Sequence, residues 1–107
     1  MEYYDGDECM RFIENCGIGD EFSLASAVKY LWRLGRKHEN PAEDLKKALW
    51  YLERVSDECV IYTFPKTIGF HITEKCERLS ARYFSEEILD LLRRIQRLAM
   101  SIAKGTI

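Results

Sequence analysis

Apolar residues recur along most of this chain at intervals of three and four, the spacing of one face of an α-helix. The pattern is clearest near the end. Ile88, Leu91, Leu92, Ile95, Leu98, Ala99 and Ile102 form a coiled-coil-like seam. Their helix is predicted to follow the cap or bend Ser85-Glu86-Glu87 and to run to about Ala103, with Gly105 as its stop. A second clear stripe is Leu45, Ala48, Leu49, Leu52 and Val55. It opens on Asn40, a good N-cap, with Pro41 at the first helical position and Glu43 at the capping-box position. Before it, Leu24, Ala27, Val28, Leu31 and Trp32 share one side of a helix predicted from about Phe22 to Arg36. Residues 7–16 predict a short leading helix with Met10, Ile13 and Phe12 turned inward, ended by Gly17-Ile18-Gly19. Residues 59–70 break the rhythm. Their β-branched and aromatic content permits an extended segment, but Pro65 and Gly69 predict a loop packed on the core, with helix resuming near Thr73.

These elements predict an all-α fold in a single domain, residues 1–107. The few residues between the second and third helices predict that the two pack antiparallel as a hairpin. A short N-terminal helix and a long C-terminal helical arm complete the chain. Beside the seam of that arm lies a second row with Leu89 and Met100, more apolar surface than a small domain covers alone, so a homo-oligomer through the C-terminal helix is expected.

With 47% hydrophobic and 32% charged residues, the chain has the composition of a folded protein. Its net charge of −2 conceals an uneven layout. Residues 1–28 carry seven acids against Arg11, whereas residues 29–54 carry seven bases against four acids. A basic patch inside an acidic chain suits a small anionic ligand better than a long phosphate backbone, so no specific nucleic acid is expected. No apolar run approaches the roughly 18–20 residues of a membrane span, and the acidic N-terminus does not read as a signal peptide; a cytoplasmic protein without a membrane partner is expected. Cys9, Cys16, Cys59 and Cys76 form no CxxC pair, which predicts reduced, mostly buried thiols rather than a zinc site.

The basic patch lies on two helix faces. Ser26, Lys29, Arg33 and Lys37 fall within about 80° of one another, with Tyr30 beside them. Asp44, Lys47, Tyr51 and Arg54 form a second stripe next to the core stripe of the third helix, and Trp50 points well away from that core. One reading is a solvated face in which Asp44 or Glu43 pairs with a nearby lysine or arginine, each pair contributing a few tenths of a kcal/mol. The other is a phosphate site. Arg33 would supply a forked donor, Lys29, Lys37 and Lys47 point charges, and Tyr30, Trp50 and Tyr51 surfaces for a base or ribose, with Asp44 orienting the cations. Charge concentrated against the trend of the chain and interleaved with rings favours a ligand.

The runs Ala27-Val-Lys-Tyr-Leu-Trp-Arg-Leu-Gly-Arg-Lys37 and Glu43-Asp-Leu-Lys-Lys-Ala-Leu-Trp-Tyr-Leu-Glu-Arg54 resemble a small domain family common in bacteriophage genomes. That family is described as of unknown function or as nucleotide-kinase-like. Its pattern is a His-Tyr near the start, then G-N-x-x-K-Y-x-x-R-x-x-x-K and D-L-x-K-A-x-W-Y-L. The resemblance covers residues 3–55, where Lys29, Tyr30, Arg33, Lys37, Asp44, Lys47, Trp50 and Tyr51 match. Ala25-Ser26 replaces the Gly-Asn pair, and Glu2-Tyr3 or Tyr3-Tyr4 the His-Tyr. The resemblance implies a phage protein acting in the host cytoplasm, and the departures imply one that keeps the ligand and has lost the reaction.

No G-x-x-x-x-G-K-[ST] phosphate loop is present, and Gly17-Ile18-Gly19 reads as a turn. His38 and His71 read as surface or packing residues rather than bases for a cysteine nucleophile. Glu74-x-x-Glu77 and Glu87-x-x-Asp90 have metal-site spacing without a matching histidine, so salt-bridged helix faces are expected. The function expected is binding of a phosphorylated nucleotide without a cofactor, such as sequestration of a host nucleotide or cyclic nucleotide signal. The alternatives are a nucleoside monophosphate kinase, which would require Mg²⁺, and an interaction module that docks a host protein.

Overall fold

The computed structural model describes residues 7–34, 40–55 and 67–104, with the side chains of Asp7, Glu8 and Ile13 left aside. Among the described residues the chain is all-helical, with five helices and no strand. They are α1 (Asp7–Asn15), α2 (Gly19–Trp32), α3 (Pro41–Glu53), α4 (Thr67–Ser80) and α5 (Glu86–Lys104). Packing follows the order α1 on α2, α2 on α3, α3 on α5 and α5 on α4. α3 is therefore the shared element between a polar pair and an apolar pair.

The apolar pair follows the sequence closely. Ile88, Leu91, Leu92, Ile95, Ala99 and Ile102 are all buried, against α3 on one side and α4 on the other. The seam thus packs inside the chain, leaving Leu89 and Leu98 partly buried at its edge. Ser85 accepts from Leu89 N at the start of α5 (2.9 Å), the turn expected of that cap. Gly105 lies outside the described residues.

α4 begins six residues before the expected restart at Thr73, so Thr67–Phe70 are helix and not loop. The reason is the glycine that suggested a loop. A Cβ on Gly69 would stand 2.4 Å from Ala103 N and 2.5 Å from Ala99 O. Gly69 is a contact point where two helix backbones approach, a use of glycine that a local pattern does not separate from a turn. Pro65 and the rest of residues 59–66 lie outside the described residues.

α3 is built as its punctuation indicates. Asn40 Oδ1 accepts from Ala42 N at 3.0 Å, and Pro41 opens the helix. Leu45, Ala48, Leu49 and Leu52 are buried, and Val55 partly so. α2 departs more. It starts at Gly19 rather than Phe22, because Gly17 takes φ +84° and reverses the chain at the end of α1. Cys16 N and Gly17 N donate to Phe12 O and Glu14 O in that turn, both at 3.0 Å. Its last helical residue is Trp32, with Arg33 as cap; Gly35 and Arg36 lie outside the described residues.

The buried face of α2 is also rotated from the expected stripe. Ser23, Ser26, Ala27 and Leu31 are buried, followed by Leu34, while Leu24, Val28 and Trp32 are half-buried. Ser26, expected on the polar face, is inside. Small residues let α3 approach, and the larger apolar side chains lie along the edges of that contact. On α1, Met10 is buried but Phe12 is 68% exposed. Two residues are about 200° apart around a helix, so both cannot face a single neighbour. Ile13 lies outside the described side chains. Cys9 and Cys16 are exposed, correcting the expectation of mostly buried thiols; Cys76 is buried and Cys59 lies outside the described residues.

Candidate functional site

The rotation of α2 brings the two polar stripes together. Tyr30 on α2 and Tyr51 on α3 stack at 6.0 Å between centroids with planes 10° apart. Phe22 and Trp50 meet Tyr51 edge-on at 5.7 and 5.1 Å. Tyr51 is the buried hub of this cluster and Tyr30 its half-buried outer ring.

Three cations gather at the outer ring. Lys29 Nζ lies 4.6 Å from the Tyr30 centroid, and Arg33 Cζ and Lys47 Nζ each 5.4 Å. Lys29 and Arg33 lie within one turn of Tyr30 on α2, and Lys47 reaches in from α3. Asp44 sits one turn before Lys47 on α3 and is buried, 3% exposed. Arg54, the last of the stripe, is drawn away: its Nη2 and Nε donate to Glu14 of α1 at 2.7 and 3.1 Å, with its guanidinium 4.8 Å from the Trp50 ring.

Of the residues expected at a phosphate site, Lys29, Tyr30, Arg33, Lys47 and Tyr51 therefore lie in one cluster. Trp50 joins it through Tyr51, and Asp44 is buried one turn before Lys47 on α3. Lys37 lies outside the described residues. Tyr51 is too deeply buried to be a platform for a ligand and supports Tyr30 from behind. The ion pairing expected of a solvated face does not include Asp44: among the described residues the ion pairs are Lys46–Glu87, Arg54–Glu14, Arg78–Glu74 and Arg93–Glu86. Glu74 and Glu87 do lie on salt-bridged faces.

Magnitudes decide how much the charge cluster means. Two cations on the order of 8 Å apart in water repel by about 0.5 kcal/mol. Each cation on an aromatic face gains about 0.5–1 kcal/mol. The ring contacts can therefore offset the repulsion among the cations, and the cluster alone does not call for a ligand. The buried polar atoms are the stronger indication. Arg33 Nε and Asp44 Oδ1 are both buried without a hydrogen-bond partner. An unmet buried donor or acceptor costs about 1–3 kcal/mol, more when charged. Ser23 and Thr73 hydroxyls are also without partners, but these are neutral groups.

Sequence reasoning missed the Glu14–Arg54 clasp and the cleft beside it, about 220 Å³, lined by Glu14, Gly17, Gly19, Asp20 and Arg54. No local signal marks a pair 40 residues apart; only the α1–α2 turn and the α2–α3 packing bring it together. Among the described residues no group of three or more His, Cys, Asp or Glu side chains could hold a metal ion. No helix among them is long and apolar enough to cross a membrane.

Residues 2–53 match the family model described as a protein of unknown function (DUF3310), a phage-associated domain. The match spans α1 to α3, the elements that build the cluster, and its description assigns no activity. No curated protein and no solved structure matches the chain.

Proposed function

We propose that the α2–α3 pair binds a phosphorylated nucleotide and holds it without turnover. Lys29, Arg33 and Lys47 take the phosphate, and Tyr30 and Trp50, the half-buried rings, meet the base or ribose. Asp44, buried one turn before Lys47, is assigned to orienting the cations, and Lys37, outside the described residues, is a further candidate cation. The observation that carries this reading is the buried, partnerless Arg33 Nε among cations gathered on one tyrosine ring. A guanidinium beside two ammonium groups supplies the donors that an oxyanion takes. The phage association of the matched domain supports a sequestering part, in which a host nucleotide signal is bound and kept.

A nucleotide panel tests this directly. Thermal shift of the full chain identifies a ligand, and heat denaturation followed by chromatography shows what is released. Recovery of the unchanged nucleotide supports capture; a newly phosphorylated product, formed with Mg²⁺ and a donor, supports the kinase instead. Arg33→Glu is expected to abolish the shift while preserving the helical circular dichroism spectrum. Retention of full affinity in that variant overturns the site.

A further inference from the structure

The apolar seam of α5 packs inside the chain, whereas α1 turns part of its apolar surface to solvent. Phe12 is 68% exposed, and Cys9 and Cys16, one on each side of it along the chain, are exposed free thiols. Cys16 N donates to Phe12 O at 3.0 Å, so Cys16 keeps the helical register of α1 beyond Asn15. Seven residues return to within about 20° of the start, so the two thiols share one face, with Phe12 about 40–60° from each. They cannot bond to each other. Seven residues of helix hold their Cα atoms about 10.5 Å apart, beyond the roughly 7 Å limit of a disulfide. Cys76 is buried and offers neither of them a partner.

A second copy of the chain removes that obstacle. Laid antiparallel with Cys9 opposite Cys16 of the second copy, the pairing repeats on both sides of a twofold axis, and the two Phe12 rings meet beside that axis. Charge favours the same direction. The acidic start of α1 then faces the uncharged Gly17-Ile18 turn of the second copy, and the helix dipoles oppose; a parallel pair would set acids against acids. The dimensions agree as well. Two helices of about 2.3 Å backbone radius, joined across the Cα separation of a disulfide, have axes about 9–11 Å apart, close to ordinary helix packing.

We infer that α1 is a self-association face: two copies pair it antiparallel about Phe12, and oxidation locks the pair through two Cys9–Cys16 disulfides. Each bond forms by exchange with a low-molecular-weight disulfide such as oxidised glutathione. One protein thiolate attacks it, the facing thiolate displaces the bound glutathione, and two hydrogens with their electrons pass to two molecules of reduced glutathione. The inference is independent of the nucleotide-binding reading.

The full chain is equilibrated in mixtures of oxidised and reduced glutathione, quenched by alkylation, and resolved on a non-reducing gel with peptide mapping. A dimer is expected in excess oxidised glutathione and its reversal in excess reduced glutathione, with Cys9–Cys16 cross-links and neither Cys9–Cys9 nor Cys16–Cys16. Cys9→Ser and Cys16→Ser chains are each expected to stay monomeric alone, because like positions lie about 10.5 Å apart along the pair, and to form a singly linked heterodimer when mixed. Phe12→Asp is expected to slow trapping about tenfold with an unchanged helical circular dichroism spectrum, on the scale of returning one aromatic side chain to water. Cross-links between like positions, a dimer held through Cys59, the absence of any dimer, or no gain on mixing the two serine variants overturns the inference. Phe12→Asp trapping at the parent rate does so too, by removing the ring from the contact.

Discussion

α4–α5 and α2–α3 are both helix pairs of similar length, joined through α3, yet they are packed by different rules. The α4–α5 interface is apolar and close: Leu79, Leu92, Ile95, Cys76 and Ala99 are all at most 1% exposed, and Gly69 lets one backbone reach the other. The α2–α3 interface buries Ser23, Ser26, Asp44 and Tyr51 among its aliphatic residues, and the buried Arg33 Nε and Asp44 Oδ1 have no hydrogen-bond partner in the protein. The first pair reads as the part that holds the fold, the second as the part that tolerates local cost for a purpose. Helix pairs that contribute stability alone rarely keep a buried carboxylate without a partner.

If that division is right, the largest effect belongs to Gly69→Ala. In an ordinary helix interior this change gains about 1 kcal/mol from propensity. Here the new methyl meets backbone atoms of Ala99 and Ala103 at 2.4–2.9 Å, which cannot turn aside. Overpacking of that kind costs about 3 kcal/mol, so a net loss of about 2 kcal/mol is expected in urea denaturation. A neutral or stabilising result would mean that α4 and α5 do not approach as closely as described.

Cys76 gives the second measure, in pH rather than packing. Burial, with Glu77 adding its charge, pushes this thiol from 9.0 up to about 12. The folded state therefore keeps its proton where the unfolded state releases it. Its contribution is fully present below pH 9.0 and is lost as pH rises towards about 12. Each unit of pH inside that window removes about 1.4 kcal/mol. Comparison with Cys76→Ala isolates the thiol from tyrosine and lysine titration, and the variant is expected to show a shallower alkaline decline. Equal slopes would place Cys76 in contact with solvent.

The same contrast governs how much was legible in the sequence. The α5 seam and the α3 stripe were readable because each has one apolar face with strongly separated polar positions. α2 was not, since apolar residues lie on most of its circumference and only the arrival of α3 selects the serine face. Gly69 was misread for a related reason: a glycine that admits a neighbouring helix and a glycine that turns the chain look alike along the chain. Of the residues proposed for the site, Lys29, Arg33 and Lys47 were visible as charge on two stripes. Their meeting on the Tyr30 ring, the burial of Asp44 and the diversion of Arg54 to Glu14 depend on helix rotation, which periodicity alone leaves open.

The smallest effect on stability is the one that tests the purpose of the second pair. Asp44→Leu keeps the branching of the side chain and removes the buried carboxylate. Relief of an unmet buried charge is worth about 1–3 kcal/mol, as replacing unpaired buried polar groups by apolar ones of the same shape often stabilises. Against it stands the loss of an acid in the first turn of α3, where the helix dipole favours negative charge by about 0.3–1 kcal/mol. The balance predicts a variant more stable than the parent by about 1 kcal/mol, opposite in sign to Gly69→Ala and readable in the same urea experiment. A chain that can be stabilised by removing one charged side chain carries that side chain at a cost to folding, and weaker nucleotide binding is the loss expected with it. A loss of stability on Asp44→Leu would instead show that the carboxylate has partners that hold the two helices together, and the two pairs would then differ only in composition.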